Sequence, residues 1–487
     1  MRFTASVSVT GLDVTTPHLD RAALVERLRK LILENSRVLL SAPMGSGKTS
    51  LLALLESKFT GLDYYYVSME QLAPTAILQR FGITSELEKS SCLRENTSRP
   101  KLLMLDDCQS FYDKAHKSFW ELIVKSLKLP PNIHVVFVAT RSVSIPQESP
   151  ICMSSLPSLS RQDLMLTTDE ATEMLTLPEP VGLSHDLRHP HFMDLVAKEC
   201  GGLIAAIRIS INTINGKFRS AHDKTEERLV QYLFSADMLN NFDRCFIAQP
   251  GMVSKEVTDL LVELLTKKSG IHTETCTALV RSGVLVVKNG TVQYSSPLAA
   301  RFMTRLLFPT RHPSTDNPTS LSSFVKSCIE NMSATALLQS VADDTDKPKE
   351  AVYQHLFMQA MHACSPPSVV VCPELSRVFP SGDDCGADVG AVIPGELDFY
   401  LNGGLRWGIE LLVGGRGIGE HMSRFAAGGK YAKLNVSDYA VVDFRKSAVT
   451  EVQRYPKRIT VFFDTGDFRR CTVYEGTESI YMAYLKA

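Results

Sequence analysis

Arg37-Val-Leu-Leu-Ser-Ala-Pro-Met-Gly-Ser-Gly-Lys-Thr49 is the stretch whose reading decides the fold. Val38 to Leu40 is a short apolar run and reads as a buried strand. A glycine-rich turn follows, and Ser50-Leu-Leu-Ala-Leu-Leu-Glu56 reads as a helix. Strand, turn and helix in that order are the setting a phosphate-binding loop requires. Gly45 and Gly47 let backbone N–H groups converge on phosphate oxygens, where a Cβ would obstruct the turn. The helix N-terminus adds its partial positive charge. The expected phosphate cradle is Pro43, Met44, Gly45, Ser46, Gly47, Lys48, Thr49 and Ser50. Lys48 is expected on the β- and γ-phosphates, and the Thr49 hydroxyl on Mg²⁺. Ala42 stands where the usual pattern has its first glycine, while Gly-x-Gly-Lys-Thr is intact. The expected ligand is a nucleoside triphosphate, written here as ATP, with Mg²⁺.

At 487 residues the chain exceeds what one core holds, so about two to four domains are expected. A net charge of −1 excludes a global electrostatic pull toward nucleic acid or membrane; any such pull must be local. The 11 cysteines include no Cys-x-x-Cys pair, which argues for reduced thiols and against a structural zinc site. No apolar run approaches bilayer length. Residues 1–20 carry Asp13 and Asp20 and no signal-peptide core. A soluble, reducing compartment and no membrane partner are expected.

Working outward from the loop, Arg21 to Leu33 reads as an amphipathic helix. Asp63 to Val67, Lys101 to Asp107 and Ile133 to Arg141 read as strands, with helical stretches at Thr75–Phe81 and His116–Leu127. That alternation predicts an α/β fold with a parallel sheet, a P-loop NTPase core over residues 1–160. Asp106, at the carboxyl end of an apolar strand, is expected to hold Mg²⁺ through water, and Asp107 to orient or deprotonate the attacking water. Thr140 and Arg141 are candidates to sense the γ-phosphate, against the plainer reading of Arg141 as a surface charge. Cys200-Gly-Gly-Leu-Ile-Ala-Ala-Ile-Arg208 falls in a helical lid, 161–225, and either brings Arg208 to the nucleotide or serves helix packing. Residues 226–308 read as a winged-helix segment: Leu260 to Lys267 and Glu274 to Ser282 read as helices, and Val284 to Tyr294 as a hairpin around Asn289-Gly290. The polar, proline-bearing run around residues 309–323 reads as a linker to a domain over 324–487.

In that last domain Glu350 to Ala360 reads as a helix, and Gly395 to Leu401 and Trp407 to Val413 as a hairpin. The hairpin brings Asp398 and Glu410 together as a hard-oxygen site suited to Mg²⁺, against the plainer reading of two solvent-facing acids. The basic clusters Arg454/Lys457/Arg458 and Arg469/Arg470 can neutralise phosphates or simply be solvated.

Leu397-Asp-Phe-Tyr, Trp407-Gly-Ile-Glu-Leu-Leu, Gly419-Glu-His, Arg424-Phe, Gly429-Lys-Tyr and Asp438-Tyr-Ala-Val-Val-Asp-Phe-Arg together resemble the nuclease-like domain of Crinkler effectors. The resemblance covers residues 15–487. It implies a STAND-type P-loop ATPase, a winged-helix segment and a restriction-endonuclease-like α/β domain of the PD-(D/E)xK superfamily. It makes Asp398 and Glu410 metal-binding acids of a nuclease acting on DNA. Leu412 occupies the superfamily's lysine position. Lys430 or Lys433 is the candidate replacement cation, His421 a candidate proton acceptor, and Glu350 or Gln354 a candidate completion of the site. The resemblance further implies a secreted effector acting in a host cytoplasm or nucleus, with host proteins as possible partners and a possible homo-oligomer. A different class of reading makes the nuclease-like domain an inactive nucleic-acid or protein binding module. A kinase is disfavoured by the missing His-Arg-Asp and Asp-Phe-Gly pair.

Overall fold

The computed structural model describes residues 12–69, 99–111, 120, 124, 129, 132–140, 144–145, 151–152, 155–243, 245–246, 256–258, 260–261, 264, 270–271, 279–280, 282–288, 290–307, 318–341, 348, 350–366, 369–373, 397–402, 404–415, 417–434, 436–445, 455–463, 466–476 and 479–486. Residues 1–185, 201–212 and 277–283 form one compact unit, and residues 186–200, 213–276 and 284–487 a second.

The first unit contains β1 (Arg37–Ser41), β2 (Asp63–Ser68), β3 (Lys101–Asp106), β4 (Ile133–Ala139), the short pair β5 (Ser144–Ile145) and β6 (Ile151–Cys152), and β7 (Ser158–Leu159). Five of these form one sheet in the order β2-β3-β4-β1-β7, every neighbour parallel. Every residue of β3 and β4 is buried, as parallel strands covered on both faces must be, which is why both are mostly apolar, with Lys101, Asp106 and His134 the exceptions. Helix α1 (Ala22–Glu34) buries Val25, Leu28 and Ile32, a single stripe at helical spacing. Helix α2 (Lys48–Lys58) buries Leu51, Leu52, Leu54 and Leu55 against Val38, Leu40, Met104 and Val136. Arg21 precedes α1 at φ 43° and is bonded through its guanidinium to Leu164 O and Glu170, so the helix starts one residue later than its apolar pattern suggests. The helical stretch expected at 75–81 lies outside the described residues, as does most of 116–127.

Beyond β7 the chain is helical: Arg161–Leu164, Thr168–Thr176, Pro190–Cys200 and Ile204–Phe218. Thr167 caps the second of these, accepting from Glu170 N while the Glu170 carboxylate accepts from Thr167 N.

In the second unit, β8 (Gly270–Ile271), β9 (Leu285–Lys288) and β10 (Thr291–Tyr294) form a three-stranded antiparallel sheet followed by the helix Pro297–Leu307. The hairpin turns at Gly290, whose φ of 78° suits the Asn-Gly turn. The helices expected at 260–267 and 274–282 fall mostly outside the described residues. Ser320 caps a helix at Leu321–Asn331, so helical structure begins inside the expected 309–323 linker. The rest is a seven-stranded sheet of β11 (Val371–Pro373), β12 (Phe399–Leu401), β13 (Trp407–Val413), β14 (Asp438–Arg445), β15 (Arg458–Phe463), β16 (Arg470–Glu475) and β17 (Ser479–Tyr484). They lie in chain order, with β13, β14 and β15 parallel and the other neighbours antiparallel. One face packs Ile409, Leu411, Val442, Phe444 and Val461 against the helices Leu321–Asn331 and Glu350–Cys364. The other face buries Leu412 and Val441 with Ile418.

Candidate functional site

The loop between β1 and α2 has the backbone its sequence demands. Gly45 and Gly47 adopt φ of 75° and 85°, the left-handed region that a Cβ disfavours. Ala42 is not among the positive-φ residues; its N–H continues the ladder to Ala139 O at 3.2 Å and its methyl is buried. Glycine is therefore not required there, which explains the departure from the usual pattern. Lys48 Nζ donates to Ala42 O at 2.8 Å and Pro43 O at 2.9 Å. Burial pulls its pKa down to about 8, against the pull of Asp106 and Asp107. Ser46 is fully buried and donates through Oγ to Pro43 O, whereas Met44 is half exposed.

Asp106 ends β3 with its side chain buried. Its Oδ2 accepts from Thr49 Oγ1 at 2.7 Å and from Tyr66 OH at 3.0 Å, and its Oδ1 from Asp107 N at 2.9 Å. Burial raises its pKa, and the Thr49 hydrogen bond opposes that rise. Asp107 sits at φ 58°, an uncommon conformation for a residue with a side chain. Its carboxylate accepts from Ser68 Oγ at 3.1 Å and Gln109 Nε2 at 3.4 Å. Gln109 Oε1 in turn accepts from Thr140 N at 3.0 Å, so Thr140 joins the site through its backbone. Arg141 lies outside the described residues. Tyr66, Ser68 and Gln109 were not legible as site residues: two sit on β2, beside β3 only through sheet pairing.

The first unit thus sets a glycine-rich loop between the first strand of a parallel α/β sheet and the helix that follows it. A hydroxyl and a carboxylate oxygen 2.7 Å apart beside a lysine are the hard donors a Mg²⁺–phosphate pair uses, so Thr49 and Asp106 fit that ion.

The helix Ile204–Phe218 closes over the loop. Ala205 N donates to Gly45 O at 3.0 Å. A Cβ added to Gly45 would lie 2.5 Å from Ala205 Cβ, and one added to Gly47 would lie 2.6 Å from Ile204 Cδ1. A cleft runs alongside, lined by Leu12, Pro17, His18, Leu19, Arg21, Gly47, Ser50, Leu51, Leu54, Met174, Leu177, Val181, Ile204 and Arg208. Arg208 is thus exposed on the wall of a cleft that adjoins the phosphate loop.

In the second unit the β12–β13 register pairs Phe399 with Ile409 and so sets Asp398 across from Glu410. Asp398 accepts from Leu411 N at 2.7 Å and from Gln354 Nε2 at 3.1 Å. Glu410 is completely buried and is bonded by His421 Nδ1 and Tyr431 OH, with Arg424 Nη1 3.3 and 3.4 Å from its two oxygens. Burial pushes up the Glu350 pKa, and His421 opposes that rise. Of the residues named for this site, Gln354 thus reaches Asp398 and His421 reaches Glu410. Arg424, three residues after His421 on the same helical turn, reaches Glu410. The Lys433 side chain lies outside the described residues, and Leu412 is buried against Val441 and Ile418. Among the described residues no group of three or more His, Cys, Asp and Glu side chains gathers to hold a metal. Both candidate acids accept from protein donors in this arrangement.

No protein-family model and no curated protein matches the chain. Several solved structures are similar in fold. The Walker-type ATPase PABY2304 of Pyrococcus abyssi is 13% identical, covers 59% of this chain and 96% of its own, and gives a TM-score of 0.35. The RuvB Holliday junction branch migration motor of Thermotoga maritima is 15% identical over 59% and 95%, at 0.33. Cdc6p from Pyrobaculum aerophilum is 14% identical over 62% and 97%, at 0.31. No helix among the described residues is long and apolar enough to cross a membrane.

Proposed function

We propose that this chain binds ATP with Mg²⁺ at the loop 42–50 and hydrolyses it. The observation that carries this is Lys48 and the Thr49–Asp106 pair set around two left-handed glycines. On binding, Lys48 exchanges Ala42 O and Pro43 O for phosphate oxygens, and the N–H groups of the loop meet the remaining charge. Bound Mg²⁺ supplies charge stabilisation on the transferring phosphoryl group, and Thr49 and Asp106 are the residues that would hold it. Asp107, fixed by Ser68 and Gln109, orients the attacking water. The test is nucleotide turnover by Lys48→Ala, which is expected to be abolished; unchanged turnover would mean the site is misassigned.

For the second unit a second reading rests on the commitment of Glu410 to Arg424, His421 and Tyr431. A buried carboxylate neutralised in this way favours a domain that binds nucleic acid or protein without cutting, under the control of the ATP cycle. Action on DNA by a secreted effector in a host cell is supported by the Crinkler resemblance alone. Plasmid DNA with Mg²⁺, with and without ATP, separates the two readings. Cleavage lost in Asp398→Ala supports the nuclease, and retained binding without cleavage supports the module.

A further inference from the structure

The loop 42–50 accounts for the phosphates, and the adjoining cleft has no assigned role. Its walls are mostly aliphatic, from Leu19, Leu51, Met174 and Ile204 among others, a surface suited to the flat faces of a heterocycle. Polar lining is sparse: Ser50, His18, Arg21 and Arg208. Arg21 is held by Glu170, Leu164 O and Met165 O, and Arg208 as a guanidinium offers donors only.

His18 differs from these. Its Nδ1 lies 2.7 Å from Thr16 O. A carbonyl oxygen only accepts, so Nδ1 carries the proton, and in the neutral ring Nε2 is left as a lone-pair acceptor. The carbonyl that imposes this tautomer is itself anchored. Thr16 N and Thr16 Oγ1 both donate to Asp13 O, and Thr15 N and Oγ1 to the Asp13 carboxylate.

Resting on the nucleotide reading above, we infer that His18 reads the base edge of the bound nucleotide as an acceptor and makes the site selective for adenine. The exocyclic amino group of adenine is a donor that satisfies Nε2. Guanine carries a carbonyl at the same position, so two acceptors would face each other and both would be stranded. His18 is thus the specificity-determining residue, and its carbonyl anchor Thr16 the positioning one.

Competition against a fluorescent ATP analogue, with ATP, GTP and purine riboside triphosphate as competitors, tests this. The last lacks the amino group and is otherwise adenosine-like. Wild-type protein is expected to prefer ATP over purine riboside triphosphate by about tenfold, one hydrogen bond, and over GTP by more. His18→Ala is expected to bring the three competitors within roughly threefold of one another. Equal binding of ATP and purine riboside triphosphate by the wild type would overturn the inference without any variant, as would an unchanged ranking in His18→Ala. Lys48→Ala is expected to lose all three nucleotides. If it binds them normally, the phosphate-loop reading itself fails, a result distinct from loss of base discrimination.

Discussion

Replacing Gly45 by alanine isolates the contact between the phosphate loop and the helix Ile204–Phe218. Two independent penalties arise. The φ of 75° places any side-chain-bearing residue in the left-handed region, at about 1–2 kcal/mol. The new methyl would also stand 2.5 Å from Ala205 Cβ, where ordinary carbon contacts are about 3.5–4 Å. Relieving that overlap requires the helix end or the loop to yield, at about 1–3 kcal/mol. In Gly45→Ala the loop relieves this strain by leaving the conformation the native glycine holds, and ATP must restore it. A loss of about 2 kcal/mol or more corresponds to an affinity at least roughly 30-fold weaker. Fluorescence titration with ATP and a urea midpoint read the two effects separately. Ala205→Gly in the Gly45→Ala background should return the overlap share but leave the backbone share. A double-mutant cycle should therefore show a coupling of about 1–2 kcal/mol. Wild-type affinity in Gly45→Ala, or a cycle with no coupling, would refute the reasoning.

Lys48 titrates near pH 8 when folded, against 10.5 for its ordinary value, so between those limits the unfolded chain binds more protons than the folded one. Below pH 8 both states are charged and the burial penalty is fully present. As pH rises through that window, nucleotide-free protein should gain on the order of 3 kcal/mol relative to Lys48→Met, read from urea midpoints; parallel pH profiles would contradict this. Glu199→Ala strands Arg301, which is 4% exposed and otherwise rests over the Phe234 ring at 4.3 Å. The expected loss is about 3–5 kcal/mol in urea denaturation, with a distinctly smaller loss when both residues become Met.

The phosphate loop was legible because its information is local: two glycines, a lysine and a threonine within five residues, between an apolar run and a helix. The hairpin at Gly290 was legible for the same reason. What sheet pairing decides was not. Tyr66 meets Asp106 only because β2 lies beside β3, and nothing in Asp63-Tyr-Tyr-Tyr-Val67 says which tyrosine does so. Asp398 and Glu410 were placed opposite each other correctly from the hairpin alone. The contact of Arg424 with Glu410 was not legible, because it arises from helix-face geometry after β13 and not from distance along the chain. Strands β15 to β17 carry no turn signal comparable to Asn-Gly, and their sheet positions emerge only from tertiary packing.

The lysine that rests on Ala42 O and Pro43 O has a thermodynamic corollary. A loop whose cation is hydrogen-bonded to the loop's own carbonyls has much of its backbone ordering completed at folding and not during association. Binding then exchanges one set of polar contacts for stronger, charge-assisted ones. Calorimetry should accordingly record a favourable enthalpy and a small heat-capacity change at the phosphate end, with the apolar cleft supplying most of the negative heat capacity.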